Sequence, residues 1–213
     1  MAMRPSTAPM APISPTPPTA PGADPFRRRL LDGLADSLAQ RGYRATTVAD
    51  IVRSARTSKR TFYDRFAGKD ACFLELLAAN EETLRTQIRA AVDPDADWRA
   101  QIRSAVDAYI THIAERPAIT LSWIRELPSL GAAARPVQRR GLHLLTALLV
   151  ELTGSAGFRR AGLPPLTAPL AVILLGGIRE LTALAVEDGR EVSEIAGPAT
   201  EAAVALLGPR RPG

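Results

Sequence analysis

Thr47-Val48-Ala49-Asp50-Ile51-Val52-Arg53-Ser54-Ala55-Arg56-Thr57-Ser58-Lys59-Arg60-Thr61-Phe62-Tyr63-Asp64-Arg65-Phe66 reads as two short helices with a tight turn between them. Thr47 is an N-cap, and Asp50 three residues later completes a short-armed capping box. Val48, Ile51 and Val52 supply the buried stripe of a helix ending near Ser54. Ala55-Arg56-Thr57 forms the turn. Ser58 is a second N-cap, opening a helix expected to run to Phe66, in which Phe62 and Phe66 face inward at i, i+4 spacing. These are helix-turn-helix proportions. In that geometry the second helix enters the major groove of a DNA duplex with its N-terminal residues at base edges, and the first crosses the backbone. Lys59, Arg60, Thr61 and Tyr63 remain for the outer face. Arg60 suits a bidentate pair with guanine, and Thr61 suits a thymine methyl or a polar base edge.

The charge gathers around this motif. From Phe26 to Lys69 there are eleven Lys or Arg and four Asp, a net +7 in a chain whose total is +5, so the rest sums to −2. That asymmetry is the footprint of a polyanion-binding module joined to a near-neutral body, with a solvated basic face as the plainer alternative. The only two lysines, Lys59 and Lys69, both fall here, and a lysine ammonium suits point contact with phosphate.

Outward from the motif the pattern is helical. Leu30, Leu34 and Leu38 set a first helix over Pro25–Arg41, closed by Gly42 as a left-handed C′ residue. Lys69–Val92 reads as a long helix with Phe73, Leu76, Leu77, Leu84 and Ile88 on its apolar side. Trp98–Arg116, Pro117–Leu127, Pro136–Leu152, Leu166–Asp188 and Glu191–Leu207 follow, with Gly154–Pro165 as a loop. No long stretch alternates with period two. The fold class is therefore all-α: an N-terminal three-helix DNA-binding domain with a helix-turn-helix, followed by a larger helical body. The domains are expected as a Pro-rich disordered tail at 1–25 (eight prolines), a helix-turn-helix DNA-binding domain at 26–70, the helical body at 71–207, and a flexible tail at 208–213. The tail lacks the apolar core of a signal peptide. The uncharged run Ala161–Ile178 is interrupted by Pro164, Pro165 and Pro169, which leaves too short a helix to span a membrane.

Together Gly42-Tyr43-Arg44-Ala45-Thr46-Thr47-Val48-Ala49-Asp50-Ile51-Val52, Ser58-Lys59-Arg60-Thr61-Phe62-Tyr63-Asp64-Arg65-Phe66 and Lys69-Asp70 resemble the N-terminal domain of TetR-family transcriptional regulators. The likeness covers about 50 residues (27–77), with three linked elements in order and at family spacing. It implies a DNA operator as partner, with Thr47 capping its helix against a phosphate and Ser58, Lys59, Arg60 and Thr61 facing the groove. It also implies Tyr63 on the backbone, Lys69 on a phosphate, and Phe62 and Phe66 in the core. The family's turn commonly reads Ala-Gly-Val-Ser; here Arg56 replaces the glycine. A left-handed arginine costs roughly 1 kcal/mol, which an added phosphate contact by Arg56 would offset.

A single helix-turn-helix reads few base pairs, so a homodimer on a palindromic operator is expected, with half-sites about 34–36 Å apart. The last two helices are the expected interface, through Leu170, Leu174, Gly177, Leu181, Ala199 and Ala203, and the resemblance implies a four-helix bundle there. It also implies that 71–207 is a helical effector-binding and dimerisation domain with a pocket for a small apolar or amphipathic effector, for which Tyr109, His112, Trp123 and His143 are the polar-tipped or aromatic candidates. The expectation is a cytoplasmic repressor released by that effector, with no membrane partner; the rival within this class is a helical regulator or interaction protein without an effector. Catalysis is not expected. No nucleotide-binding, nucleophile-elbow or metalloprotease motif is present. One cysteine and two histidines argue against a metal centre and a cofactor alike, and Cys72 reads as core.

Overall fold

Residues 24–209 are described by a computed structural model, and all regular structure among them is helical. The tails expected at 1–25 and 208–213 therefore lie almost wholly outside the described residues. The α-helices are α1 (Pro25–Ala45), α2 (Val48–Ser54), α3 (Lys59–Tyr63), α4 (Lys69–Ala91), α5 (Trp98–Glu115), α6 (Pro117–Arg125), α7 (Arg135–Thr153), α8 (Ala156–Arg160), α9 (Ala168–Glu187) and α10 (Ala196–Leu207). Two 3-10 segments, Leu127–Ala133 and Val192–Ile195, link α6 to α7 and lead into α10.

Asp24 caps α1 by accepting the Phe26 N–H at 2.9 Å, and Pro25 stands in the first turn, where its missing donor costs nothing. Leu30, Leu34 and Leu38 are buried one turn apart. Gly42, at φ +72° and ψ 171°, breaks the helical run; only glycine takes this conformation cheaply. The break turns Tyr43 back into the core, where its ring stacks on Phe73 with centroids 4.1 Å apart. The α1–α4 core continues across the start of α4 to Ile119 and Leu127, so the division expected at residue 70 falls within one packed unit. A second core gathers Trp98, Ile113, Phe158, Leu174 and Ala199 from α5, α8, α9 and α10. Between them Leu84, Ile88 and Leu148 join α4 to α7.

Several boundaries differ from expectation for local reasons. The second helix of the motif ends at Tyr63 rather than Phe66. A turn follows in which the Arg65 and Phe66 amides both donate to the Phe62 carbonyl, at 3.0 and 2.9 Å, so Phe66 stays buried without a helix. The loop expected at Gly154–Pro165 contains α8, because the Gly157 amide docks on the Pro94 carbonyl at 3.0 Å and Phe158 is buried beside Trp98. Pro164 and Pro165 precede α9, and Pro169 lies in its first turn, so the prolines do not shorten it. α9 is long and apolar enough to cross a membrane by length and composition, with a third of its apolar window buried.

The six α9–α10 interface candidates differ in exposure. Leu174, Ala199 and Ala203 are buried inside the protomer, packed with α5; their side chains fill this chain's own core. Leu170 is half-buried, while Gly177 and Leu181 are exposed. The free apolar stripe of α9 runs through Val172, Ile173, Leu181 and Leu184, with Ile173 65% exposed.

Arg56 takes φ +49°, as its place in the turn predicts. Arg56→Gly is expected to raise stability by about 1 kcal/mol, measured by urea unfolding; an unchanged or lower midpoint would show the arginine to be unstrained.

Candidate nucleic-acid interface

The motif is built from its caps inward. In α2 the Thr47 N–H donates to Asp50 Oδ2 at 3.0 Å, and the Asp50 N–H returns a bond to Thr47 Oγ1 at 3.3 Å, closing the box read from the sequence. The Thr47 hydroxyl and amide hold the Asp50 carboxyl down to about 2, with Arg53 and Arg41 adding to the effect. In α3 the Thr61 N–H donates to Ser58 Oγ at 3.0 Å, and the two hydroxyls lie 2.9 Å apart. Five residues are too few to hold a helix by themselves. Phe62, with no exposed surface, anchors it, meeting Phe66 at 5.6 Å between centroids. Lys59, Arg60 and Tyr63 are exposed on the opposite side, Tyr63 by 58%. One greasy face and one cationic, aromatic face suit a short element meant for a groove.

The cations divide into two groups. Arg27 pairs with Glu75, Arg65 with Asp24, Arg41 and Arg53 with Asp50, and Arg44 with Glu126. Among the described residues, Arg28, Arg29, Arg56, Lys59 and Arg60 are exposed and pair with no carboxylate. The net +7 thus overstates the free footprint: part of it holds the domain together, and the uncompensated part lies at the start of α1 and on the turn and α3.

The segment 30–76 matches the model of the N-terminal domain of bacterial regulatory proteins of the tetR family. Residues 30–76 thus carry a domain of the tetR-family type. A curated relative, the HTH-type transcriptional activator FasR of Mycolicibacterium smegmatis, is 30% identical over 90 residues, which are 42% of this chain and 41% of that protein. The match thus spans less than half of either sequence. The solved structure of the fatty acid degradation regulator FadR from Bacillus halodurans superposes with a TM-score of 0.70 at 20% identity, covering 89% of this chain and 98% of that one. The regulator FadR from Bacillus subtilis in complex with stearoyl-CoA gives 0.68 at 16%, covering 85% and 99%. At these identities the structures establish a shared fold, and the matched N-terminal segment points to DNA binding and regulation.

Within this tetR-family domain, Thr47, Arg56, Ser58, Lys59, Arg60 and Tyr63 all reach the surface, and Thr61 is half-buried. Lys69 has a different setting from the rest. Its ammonium donates to the carbonyls of Tyr43 and Thr46, each at 3.0 Å, and lies 4.1 Å from the Tyr43 ring centroid. It ties the end of α1 to the start of α4, which leaves one of its three N–H groups for a phosphate. Cys72 is fully buried, and burial pushes its thiol up to about 12, a core setting.

The four effector candidates do not meet. Tyr109 lines an apolar cavity between α5, α7 and α9. His112 is buried, bonded through Nδ1 to Gln87 Oε1 at 2.7 Å, and faces a separate cleft between α1, α4 and α5. Trp123 packs on the α1–α4 core, and His143 is exposed. Arg179 and Thr182 stand beside Tyr109 instead. The signal for Arg179 was in the sequence, as the first charge after the uncharged run 161–178.

Arg60→Ala is expected to weaken binding to specific DNA by about 1–3 kcal/mol while hardly changing binding to random DNA. Lys69→Ala should lower affinity for both alike and also lower the unfolding midpoint, because two carbonyls lose their donor. Titrations on both DNAs, with melts alongside, check the pair; equal losses on both DNAs for Arg60→Ala would remove its base-reading role.

Proposed function

We propose that two copies of the chain bind a palindromic operator, each placing α3 in one of two successive major grooves, and that a small amphipathic effector releases them. On this reading residues 26–70 are the reading head and residues 71–207 the effector and dimerisation body, acting in the cytoplasm, where the DNA is. The observation that carries it is the outward face of α3, where Lys59 and Arg60 stand without acidic partners beside the exposed Tyr63. Phosphate contacts from Arg56 and the Thr47 helix start would fix the register, and Arg60 with Thr61 would read bases.

A second copy of the chain suits the free stripe of α9 better than a lipid surface. Exposed Val172, Ile173, Leu181 and Leu184 alternate with exposed Gly176 and Gly177, which permit close helix approach. The neighbouring outer side of α10 is small: Gly197, Pro198, Ala202 and Ala205 are exposed. Two such pairs would form a four-helix bundle across a two-fold axis.

Effector binding is supported by the cavity, whose lining is almost wholly apolar. α6 supplies a link from it to the reading head. Arg125 binds Glu180 and Glu187 of α9 at 2.7–3.0 Å. α6 also packs on α1: at its start Arg116 pairs with Asp32 at 3.3 Å, and at its end Glu126, next to Arg125, pairs with Arg44 at 3.0 Å. A ligand that displaces α9 would move α6 and with it the head, a coupling of about 1–3 kcal/mol.

Ile173→Glu should give a soluble monomer in sedimentation and lose operator binding; a dimer that still binds would move the interface elsewhere. Repression has its own test. A deletion strain is expected to transcribe the genes beside the operator more strongly. A fall in those transcripts would make this chain an activator, as its mycobacterial relative is named, and would leave DNA binding in place.

A further inference from the structure

The cavity between α5, α7 and α9 has a polar end with one unsatisfied donor. Ile88, Ile102, Leu145, Leu149, Leu174 and Ile178 are among its apolar walls, around about 100 Å³ of open space. Four polar residues also line it: Gln101, Tyr109, Thr153 and Arg179. Gln101 is satisfied, since its amide nitrogen donates to the Pro94 and Ala96 carbonyls and its oxygen accepts from Ser155. Thr153 is satisfied too, between the Leu149 carbonyl and the Leu166 amide. Thr182 spends its single proton on the Ile178 carbonyl at 2.8 Å, so the Tyr109 hydroxyl must donate to Thr182, at 2.8 Å. Arg179 is different: its Nε is buried and has no partner.

The surroundings leave that guanidinium short of negative charge. Two carboxylates lie within electrostatic reach: Glu180 of α9, already bound by Arg125, and Glu81 of α4, 8% exposed, whose Oε1 is itself unpartnered. Gly141 of α7 makes room for Glu81, since a Cβ there would collide with the carboxylate and sit 2.7 Å from the Trp123 ring. Burial pushes Glu81 up to about 7, against the opposing pull of Arg85, Arg140 and Arg179, with Glu82 adding to the rise. Its negative charge is therefore incomplete near neutral pH, and Arg85 is already committed to Glu82. Burying a guanidinium N–H without an acceptor is costly. An anionic acceptor attached to an alkyl chain would satisfy it while the chain filled the apolar space.

We propose that the Arg179 end of this cavity is a carboxylate site, and that the chain binds a free alkyl carboxylic acid with its head on Arg179 and its tail among the leucines and isoleucines. The inference rests on the effector reading above and narrows it: the head is a compact anion held inside, rather than a thioester carrying a bulky group or an uncharged alcohol. Tyr109 lines the same cavity, with Thr182 behind its hydroxyl.

Calorimetric titration of the full chain with decanoate, decanol and decanoyl-CoA tests it. Decanoate is expected to bind about tenfold or more tightly than decanol. Arg179→Met should abolish that preference while leaving decanol affinity unchanged, and Arg179→Lys should keep part of it. Thermal melts establish that the variants fold; if Arg179→Met does not, the wild-type acid-to-alcohol ratio and the lysine variant still decide. Equal affinity for acid and alcohol would overturn the carboxylate site and leave the effector reading standing. Decanoyl-CoA binding more tightly than decanoate would overturn the site as well. If none of the three binds, both readings fall.

Discussion

The burial of Phe62 is the contact on which the remainder depends. α3 has five residues, and a helix that short has no stability of its own. What holds it is one ring with no exposed surface, Phe66 beside it, and a serine cap at its start. Burying a phenylalanine contributes about 2–3 kcal/mol, comparable with the backbone entropy of ordering only one or two residues. The helix therefore exists because the domain around it is already folded. Its rotation is fixed by that single anchor, and the rotation decides that Lys59, Arg60 and Tyr63 look outward together.

The domain that supplies this anchor uses charge structurally. Arg27 and Arg65 link α1 and the turn after α3 to Glu75 and Asp24, and Arg27 also donates to the Arg65 carbonyl at 3.1 Å. Lys69 closes the other side on two carbonyls. None of these needs DNA to be satisfied, so the frame is organised before any phosphate arrives. The unpaired cations are those that contribute nothing to the frame. This division separates residues whose loss would loosen the whole domain from residues whose loss would be felt only at the duplex.

Much of the reading head was legible in the sequence because its signals are local. Caps, the i, i+4 phenylalanines and the left-handed Arg56 each depend on a few adjacent residues. Gly42 reads as a helix end and is a helix break that returns Tyr43 to the core, still a local effect. The body was less legible. Its helices were mostly found, but which side of each faces inward depends on partners distant in sequence. Leu174, Ala199 and Ala203 read as interface because small and leucine residues suit one; they are core because α5 packs there. His143 and Trp123 read as ligand groups by chemistry alone, and no local pattern tells that one is exposed and the other backs the α1–α4 core. Arg179 was legible in principle, as a charge closing a long apolar run, but its orphaned Nε is a property of packing.

The two sides of α9 then bear on each other. Its inner side presents Leu174 and Ile178 to the cavity, and its outer side carries Ile173 and Leu184 in the open. Ile173 and Leu174 are consecutive, so a rigid helix cannot shift one without the other. In the proposed dimer, a ligand entering the cavity would press on the same element that sets the two-fold axis and, through Arg125, on α6. The cavity's open space, about 100 Å³, is smaller than the roughly 150 Å³ of an apolar cavity that takes one benzene, so a ten-carbon alkyl chain must move its walls to enter. A tight cavity is the better transmitter: one already wide enough would accept its ligand and leave the heads where they were, since a ligand with equal affinity for both states shifts neither.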